Sequence, residues 1–292
     1  MDLNYLLSRK SIDTRQSRVL VIRHVPIEGS LRRVLPWLAA DEPDVFNAYQ
    51  QSQNAKVEKR LAQAAYVASF IGHEPGEAVF VGLYKMGGHR PITHTEFWQK
   101  PAIQELKRMG MKFCDEDEFR SPQLWFDLQL TDSYADWKGK LIVGWPPPEI
   151  VWARWAERNE FPVKAILEES KLVKAMPNWK EISLDWEQVK HLPRSWVGAL
   201  SQWRGVYFIL DGADGKGYVG SACGEKNLYG RWLNYADSGD GGNKLLRDRS
   251  PDRFRFSILE LVAPAETKDE VVRREGNWKD RLHTREFGLN GN

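Results

Sequence analysis

Two short strand-like runs joined by a polar turn, "GVYFIL" and "GYVGSA" within "GVYFILDGADGKGYVGSACG" (205–224), constrain the fold more than any other stretch of the chain. Gly215-Lys216-Gly217-Tyr218-Val219-Gly220 spells the dinucleotide fingerprint G-x-G-x-x-G. That fingerprint works only where a strand turns tightly into a helix whose N-terminal N–H groups hold a pyrophosphate, with an acidic residue about 20 positions further on. Here "ADGKG" reads as a hairpin turn and "GYVGSA" resumes strand alternation instead of opening a helix. "SGDGGNK", a loop, stands where the acidic strand end belongs. The segment is therefore read as an antiparallel β-hairpin.

The rest of the chain sets the frame around this hairpin. With 292 residues it is long enough for two domains with full cores. Lys and Arg number 42 against 40 Asp and Glu, so any nucleic-acid site must be local rather than announced by global charge. Cys114 and Cys223 lie far apart with no C-x-x-C partner, which argues against a disulfide framework or structural zinc and reads as two small buried residues in a reducing compartment. "MDLNYLLSRKSIDTR" has too short an apolar run for a signal peptide, and no 18 apolar residues run together. The expectation is a cytoplasmic protein without a membrane span.

The fold class expected is α+β in two domains. Residues 1–170 form an N-terminal α+β domain with a small sheet or barrel, 171–202 a connector, and 203–292 a second domain that contains the hairpin. In the first domain "RVLVIRHV" (18–25) reads as a strand, and "SLRRVLPWLAADEPDVFNAYQQ" as short helices broken at Pro36 and Pro43. In "NAKVEKRLAQAAYVASFIG" Val57, Leu61, Ala64, Ala68 and Ile71 recur at helical spacing before Gly72, which predicts one helix. Strands follow at 78–84, 124–130 and 139–145, around a helix over 96–110. Trp145, Trp152 and Trp155 in the Pro-rich segment either line a pocket that stacks a flat ligand or are core aromatics under a loop. "GKLIVGW" followed by "PPPEIVWARW" is similar in texture to PUA-like modified-base binders.

The hairpin itself carries a second pattern. Gly205-Val206-Tyr207 stands on its first strand and Tyr218-Val219-Gly220 on its second. Downstream, "NLYGRWLNYA" places Arg231 and Tyr235 one helical turn apart, on one face. "TKDEVVRREGNWKDRLHT" places Glu275 inside an apolar stripe of Val271, Trp278 and Leu282, where a carboxylate needs a cation or a hydrogen-bonding partner. The chain ends "REFGLNGN", with Asn290 after the turn and Asn292 expected to fray. This order of features over 203–292 resembles the GIY-YIG endonuclease family, with Val replacing Ile in both triplets.

The resemblance implies a small antiparallel sheet flanked by helices over 203–292 and the activity of a divalent-metal-dependent DNA endonuclease. Glu275 would hold a single Mg²⁺ or Mn²⁺, and Arg231 the scissile phosphate. Tyr207 would be the general base, its phenol made more acidic by Arg231, the metal or Lys216. Tyr218 and Tyr235 would orient water and phosphate, and Asn290 would brace the site or the DNA. Lys216 and the cluster Lys244, Arg247, Arg249, Arg253 and Arg255 would grip the DNA backbone, with Arg253 and Arg255 on one face of a strand. The other reading of that cluster is a solvated edge strand guarded by charge. Restriction of, or defence against, foreign or modified DNA, with the N-terminal domain selecting the target, is a natural role for such a two-domain chain. One site cuts one strand, so double-strand cutting implies a homodimer or sequential nicking. The alternatives are a non-catalytic nucleic-acid-binding protein that uses the fold as a scaffold and a structure-specific DNA repair nuclease. Other nuclease chemistries lack their residues: Asp252 and Glu260 have Val262 where a PD-(D/E)xK lysine belongs, His89 and His94 show no zinc spacing, and there is no Walker A loop.

Overall fold

The computed structural model describes residues 1–111 and 123–291, so Cys114 and Asn292 lie outside the described residues. The protein is α+β and divides into two compact units, Met1–Lys174 and Ala175–Asn292. In the first unit the strands are β1 (Val19–His24), β2 (Tyr66–Gly72), β3 (Glu77–Ile92), β4 (Gln123–Leu130), β5 (Leu141–Gly144), β6 (Ala153–Trp155) and β7 (Val163–Ile166). They form one sheet in the order β6-β1-β2-β3-β5-β7, with β4 paired to the far half of the long β3. Among the described residues only the β1–β2 pair is parallel. Every residue of β1 is buried, which explains its near-continuous apolar run.

The helices described around this sheet are α1 (Leu3–Arg9), α2 (Gly29–Asp41), α3 (Pro43–Gln51), α4 (Ala55–Leu61), α5 (His94–Gln99) and α6 (Pro101–Arg108). Three elements differ from the sequence expectation, each for an identifiable reason. The single helix expected over 55–71 is instead α4 followed by β2. The Asn54 side chain caps α4, but Tyr66–Ile71 is rich in β-branched and aromatic residues and pairs with β1 on one side and β3 on the other. Pro36 does not break α2: Leu31, Val34, Leu35 and Leu38 are fully buried in the core, and their packing outweighs one lost backbone hydrogen bond. The helix expected over 96–110 is two, because Pro101 takes the first position of α6, where its missing N–H costs nothing. Trp145 and Trp155 are buried aromatics of two different core clusters, and Trp152 packs partly buried against the cluster of Trp155.

The second unit contains β8 (Ser183–Asp185), β9 (Arg204–Asp211), β10 (Gly217–Ala222) and β11 (Phe254–Val262) in an antiparallel sheet of order β10-β9-β11-β8. Its helices are α7 (Trp186–Lys190), α8 (Arg194–Gln202), α9 (Asn227–Ser238) and α10 (Lys268–Arg281). Residues 175–202, read from sequence as part of a connector, belong to this unit. Leu184 is buried across from Phe256, Asp185 closes a capping box on α7, and the Trp186 indole N–H donates to the Ala236 carbonyl of α9 at 2.9 Å. Among the described residues no helix is long and apolar enough to cross a membrane.

His24, at the end of β1, is buried against the rings of Phe46 and Tyr49, with Nε2 at 3.1 Å from the Ser69 hydroxyl. Burial pushes its pKa down to about 4, against a weaker upward pull from a hydrogen bond with Gln50. Between pH 6.5 and 4 the unfolded chain therefore binds the extra proton, and stability falls as pH falls through that window, by about 3 kcal/mol in all. Native-state amide exchange in β1 and β2 should show this loss of opening free energy on going from pH 7 to pH 4. The same measurement on His24→Gln should give a flatter profile.

Candidate active site

β9 and β10 pair so that Gly220 lies directly opposite Tyr207 and Tyr218 opposite Ile209. Alternation then places Tyr207, Tyr218 and Gly220 on one face of the sheet. That face meets α9, whose Trp232 and Tyr235 are completely buried. Tyr207 is also completely buried, with ring centroids 6.4 Å from Tyr218, 6.1 Å from Tyr235 and 6.5 Å from Trp232. Its hydroxyl donates to the Tyr235 hydroxyl at 3.3 Å, and Nη2 of Arg231 donates to the same oxygen at 3.3 Å. Tyr218 and Arg231 are half-buried. They are the members of this cluster that reach the surface.

Two glycines make room for these rings. A Cβ on Gly220 would clash with the Tyr207 phenol, and one on Gly241 with the Tyr235 ring. Gly241 also has φ +54, a conformation that side chains disfavour. The "GDGG" loop thus uses its glycine to cover Tyr235.

Burial raises all three phenols above their ordinary range. For Tyr207 the Tyr218 phenol adds to the rise, while the Arg231 charge and the hydrogen bonds to Tyr235 and Arg231 oppose it without cancelling it. Without a metal, the pull of Arg231 alone does not acidify this phenol. The dry interior disfavours the phenolate more than one guanidinium favours it.

Glu275 comes from α10, which starts at the Thr267 cap. Ser221 of β10 alternates to the other face from Tyr218, and its hydroxyl donates to Glu275 Oε2. Oε1 accepts from Lys279 Nζ at 2.8 Å. The Glu275 charge adds to the rise of the Tyr218 phenol, so the carboxylate and the tyrosine cluster share one electrostatic neighbourhood. The helix is rotated from the expected stripe: Val271 and Lys279 are buried, Glu275 and Trp278 half-buried, and Leu282 is 40% exposed. Val271, Glu275 and Lys279 form one row at i, i+4, i+8. Glu260 explains the rotation, because it accepts from both Arg274 and, at 2.8 Å, the Trp278 indole, and so pins the flank of α10 to β11. The sequence signal for Lys279 was its Glu-to-Lys spacing of four.

Asn290 is buried and pairs both ways with Val219, accepting from its N–H at 2.9 Å and donating to its carbonyl at 2.8 Å. It braces β10 between Tyr218 and Gly220. Lys216, Lys244, Arg247 and Arg253 are exposed on the same unit. Arg249 is engaged by Asp211 at 2.6 Å and Asp214 at 3.0 Å and so braces the hairpin turn, while Arg255 lies 3.6 Å from Asp185. Arg253 sits in the 3-10 turn before β11 and not on the strand with Arg255.

No protein-family model and no curated protein matches the chain. Among solved structures, the likeness is to homing-endonuclease catalytic domains. A mutant of the catalytic domain of the intron endonuclease I-TevI is 28% identical over 31% of this chain and 94% of its own, with a TM-score of 0.26. Another structure of the catalytic domain of the homing endonuclease I-TevI is 30% identical over 30% of this chain and 96% of its own, with a TM-score of 0.25.

Gly220→Ala should cost about 1–3 kcal/mol, because the buried Tyr207 ring has nowhere to yield. Gly224→Ala, where an added Cβ meets nothing within 4 Å, should change stability little. Paired denaturant melts of the two variants check this.

Proposed function

We propose that the second unit is a divalent-metal-dependent endonuclease that hydrolyses phosphodiester bonds in DNA. The observation that carries this reading is the meeting of Tyr207, Tyr218, Tyr235 and Arg231 in one hydrogen-bonded and ring-packed cluster, with Glu275 close enough for its charge to act on Tyr218. A structural core has no need of a half-buried guanidinium held among three phenols.

Arg231 would hold two oxygens of the scissile phosphate and neutralise charge that grows in the transition state. Tyr218 would orient the attacking water from the surface side. Tyr207, in the small fraction present as phenolate, would accept the proton of that water through the intervening hydroxyls, since it touches no solvent itself. As the water oxygen bonds to phosphorus, one P–O ester bond breaks and the leaving oxygen takes up a proton. Asn290 would keep β10, and with it Tyr218, in register.

The donor set around Glu275 fits a hard divalent cation. It offers a carboxylate with a side chain 15% exposed beside the Ser221 hydroxyl, both oxygen donors. Among the described residues no three His, Cys, Asp or Glu side chains gather, so such an ion would keep much of its water. When bound it would supply charge neutralisation at the phosphate and the leaving oxygen. Lys216, Lys244, Arg253 and Arg247, the last 3.7 Å from Asp240, are the exposed candidates for gripping the DNA backbone, a role that makes binding salt-dependent. We further infer restriction of foreign or modified DNA, with the N-terminal unit choosing the target.

Supercoiled plasmid and modified phage DNA incubated with Mg²⁺, Mn²⁺ or EDTA test the reading. Wild type should nick only with metal, and Glu275→Gln or Arg231→Ala should cut at least ~100-fold more slowly while still binding DNA. A wild-type protein that binds DNA but leaves it intact under every condition belongs to the non-catalytic class instead. The rate should also rise about tenfold per pH unit from pH 7 to 9 without a plateau, because a base whose pKa lies above the usual phenol range is increasingly ionised across that window. A plateau below pH 8 removes Tyr207 from the role of base.

A further inference from the structure

Lys279 is a lysine in an unusual place. Lysines at the surface bury their stems and keep the ammonium in water, yet Lys279 is 5% exposed while Leu282, three residues on, is 40% exposed. The helix turns a cation inward at a position where a packing residue would cost less. Its ammonium lies 2.8 Å from Oε1 of Glu275, and the other carboxylate oxygen accepts from Ser221. Both oxygens of the carboxylate read as holding the metal are thus engaged from within the unit. The rotation that brings Lys279 inward is held by a separate contact, the Glu260 grip on Arg274 and Trp278.

We propose that Lys279 is a positioning residue that serves as the internal counter-ion of Glu275 and sets how tightly this carboxylate takes a divalent cation. The inference rests on the reading of Glu275 as the metal-holding residue. In the metal-free protein the ammonium neutralises the half-buried carboxylate and fixes its rotamer, so the site stays formed without an ion. An incoming cation meets a carboxylate whose charge is already balanced, and the two positive charges repel at short range. Affinity for metal is therefore low by construction. The phosphate of the substrate then becomes part of what holds the ion, which couples metal uptake to DNA binding.

The test is direct titration of Mn²⁺, followed by the electron paramagnetic resonance of the free ion, on the full chain without DNA. Wild type, Lys279→Met, Lys279→Gln, Lys279→Arg and Glu275→Gln are compared, with far-UV circular dichroism as the check of folding. Lys279→Met and Lys279→Gln should bind Mn²⁺ at least ~10-fold more tightly than wild type, and Lys279→Arg, which keeps the charge, should not. In EDTA, Lys279→Met should melt below wild type and recover on addition of Mn²⁺, a recovery that loss of packing alone does not produce. If Lys279→Met does not fold, the Gln variant, which keeps hydrogen-bonding capacity, decides. Equal or weaker Mn²⁺ binding by the neutral variants, with binding lost in Glu275→Gln, overturns the counter-ion role and leaves the metal reading standing. Mn²⁺ binding that survives in Glu275→Gln overturns both.

Discussion

The pairing of Gly220 with Tyr207 across the β9–β10 hairpin is the contact on which the candidate site depends. A side chain at 220 would occupy the space of the Tyr207 phenol. With glycine there, the phenol lies over the strand and reaches Tyr235. A slip of one residue in this register would send Tyr207 and Tyr218 to opposite faces of the sheet and dissolve the cluster. Several contacts resist such a slip. Asn290 pairs with both backbone groups of Val219, Arg249 ties down Asp211 and Asp214 at the turn, and β11 holds the other edge of β9. Residues far apart in sequence thus serve one local geometry.

Around that geometry the electrostatics are divided by the edge strand. On one face a single guanidinium sits among three phenols that burial keeps neutral. On the other a carboxylate is balanced by an ammonium and a hydroxyl. The carboxylate has a charged partner and the guanidinium a hydrogen-bonding one within the unit.

Much of the second unit was legible in the chain. The hairpin could be told from a nucleotide-binding turn because "ADGKG" is turn chemistry and "GYVGSA" alternates, both local properties. Arg231 and Tyr235 could be placed on one face because helical spacing is local too. Less of the first unit was legible. Ala64, Ala68 and Ile71 fit a helical period by coincidence, and the demand of β1 and β3 for a strand between them decided the outcome.

The sequence by itself determined the hairpin, the helix carrying Arg231 and Tyr235, and the presence of a carboxylate at 275, since each follows from spacing and residue type within a few turns of chain. Tertiary structure alone decided which face of α10 turns inward, that Lys279 and not Leu282 is buried, that Arg249 is spent on the hairpin turn, and that burial raises Tyr207. The reason is physical: helix rotation, ion pairing and desolvation depend on what lies across the gap. Glu260, Ser221 and Asp211 come from elements brought together only by the pairing of distant strands.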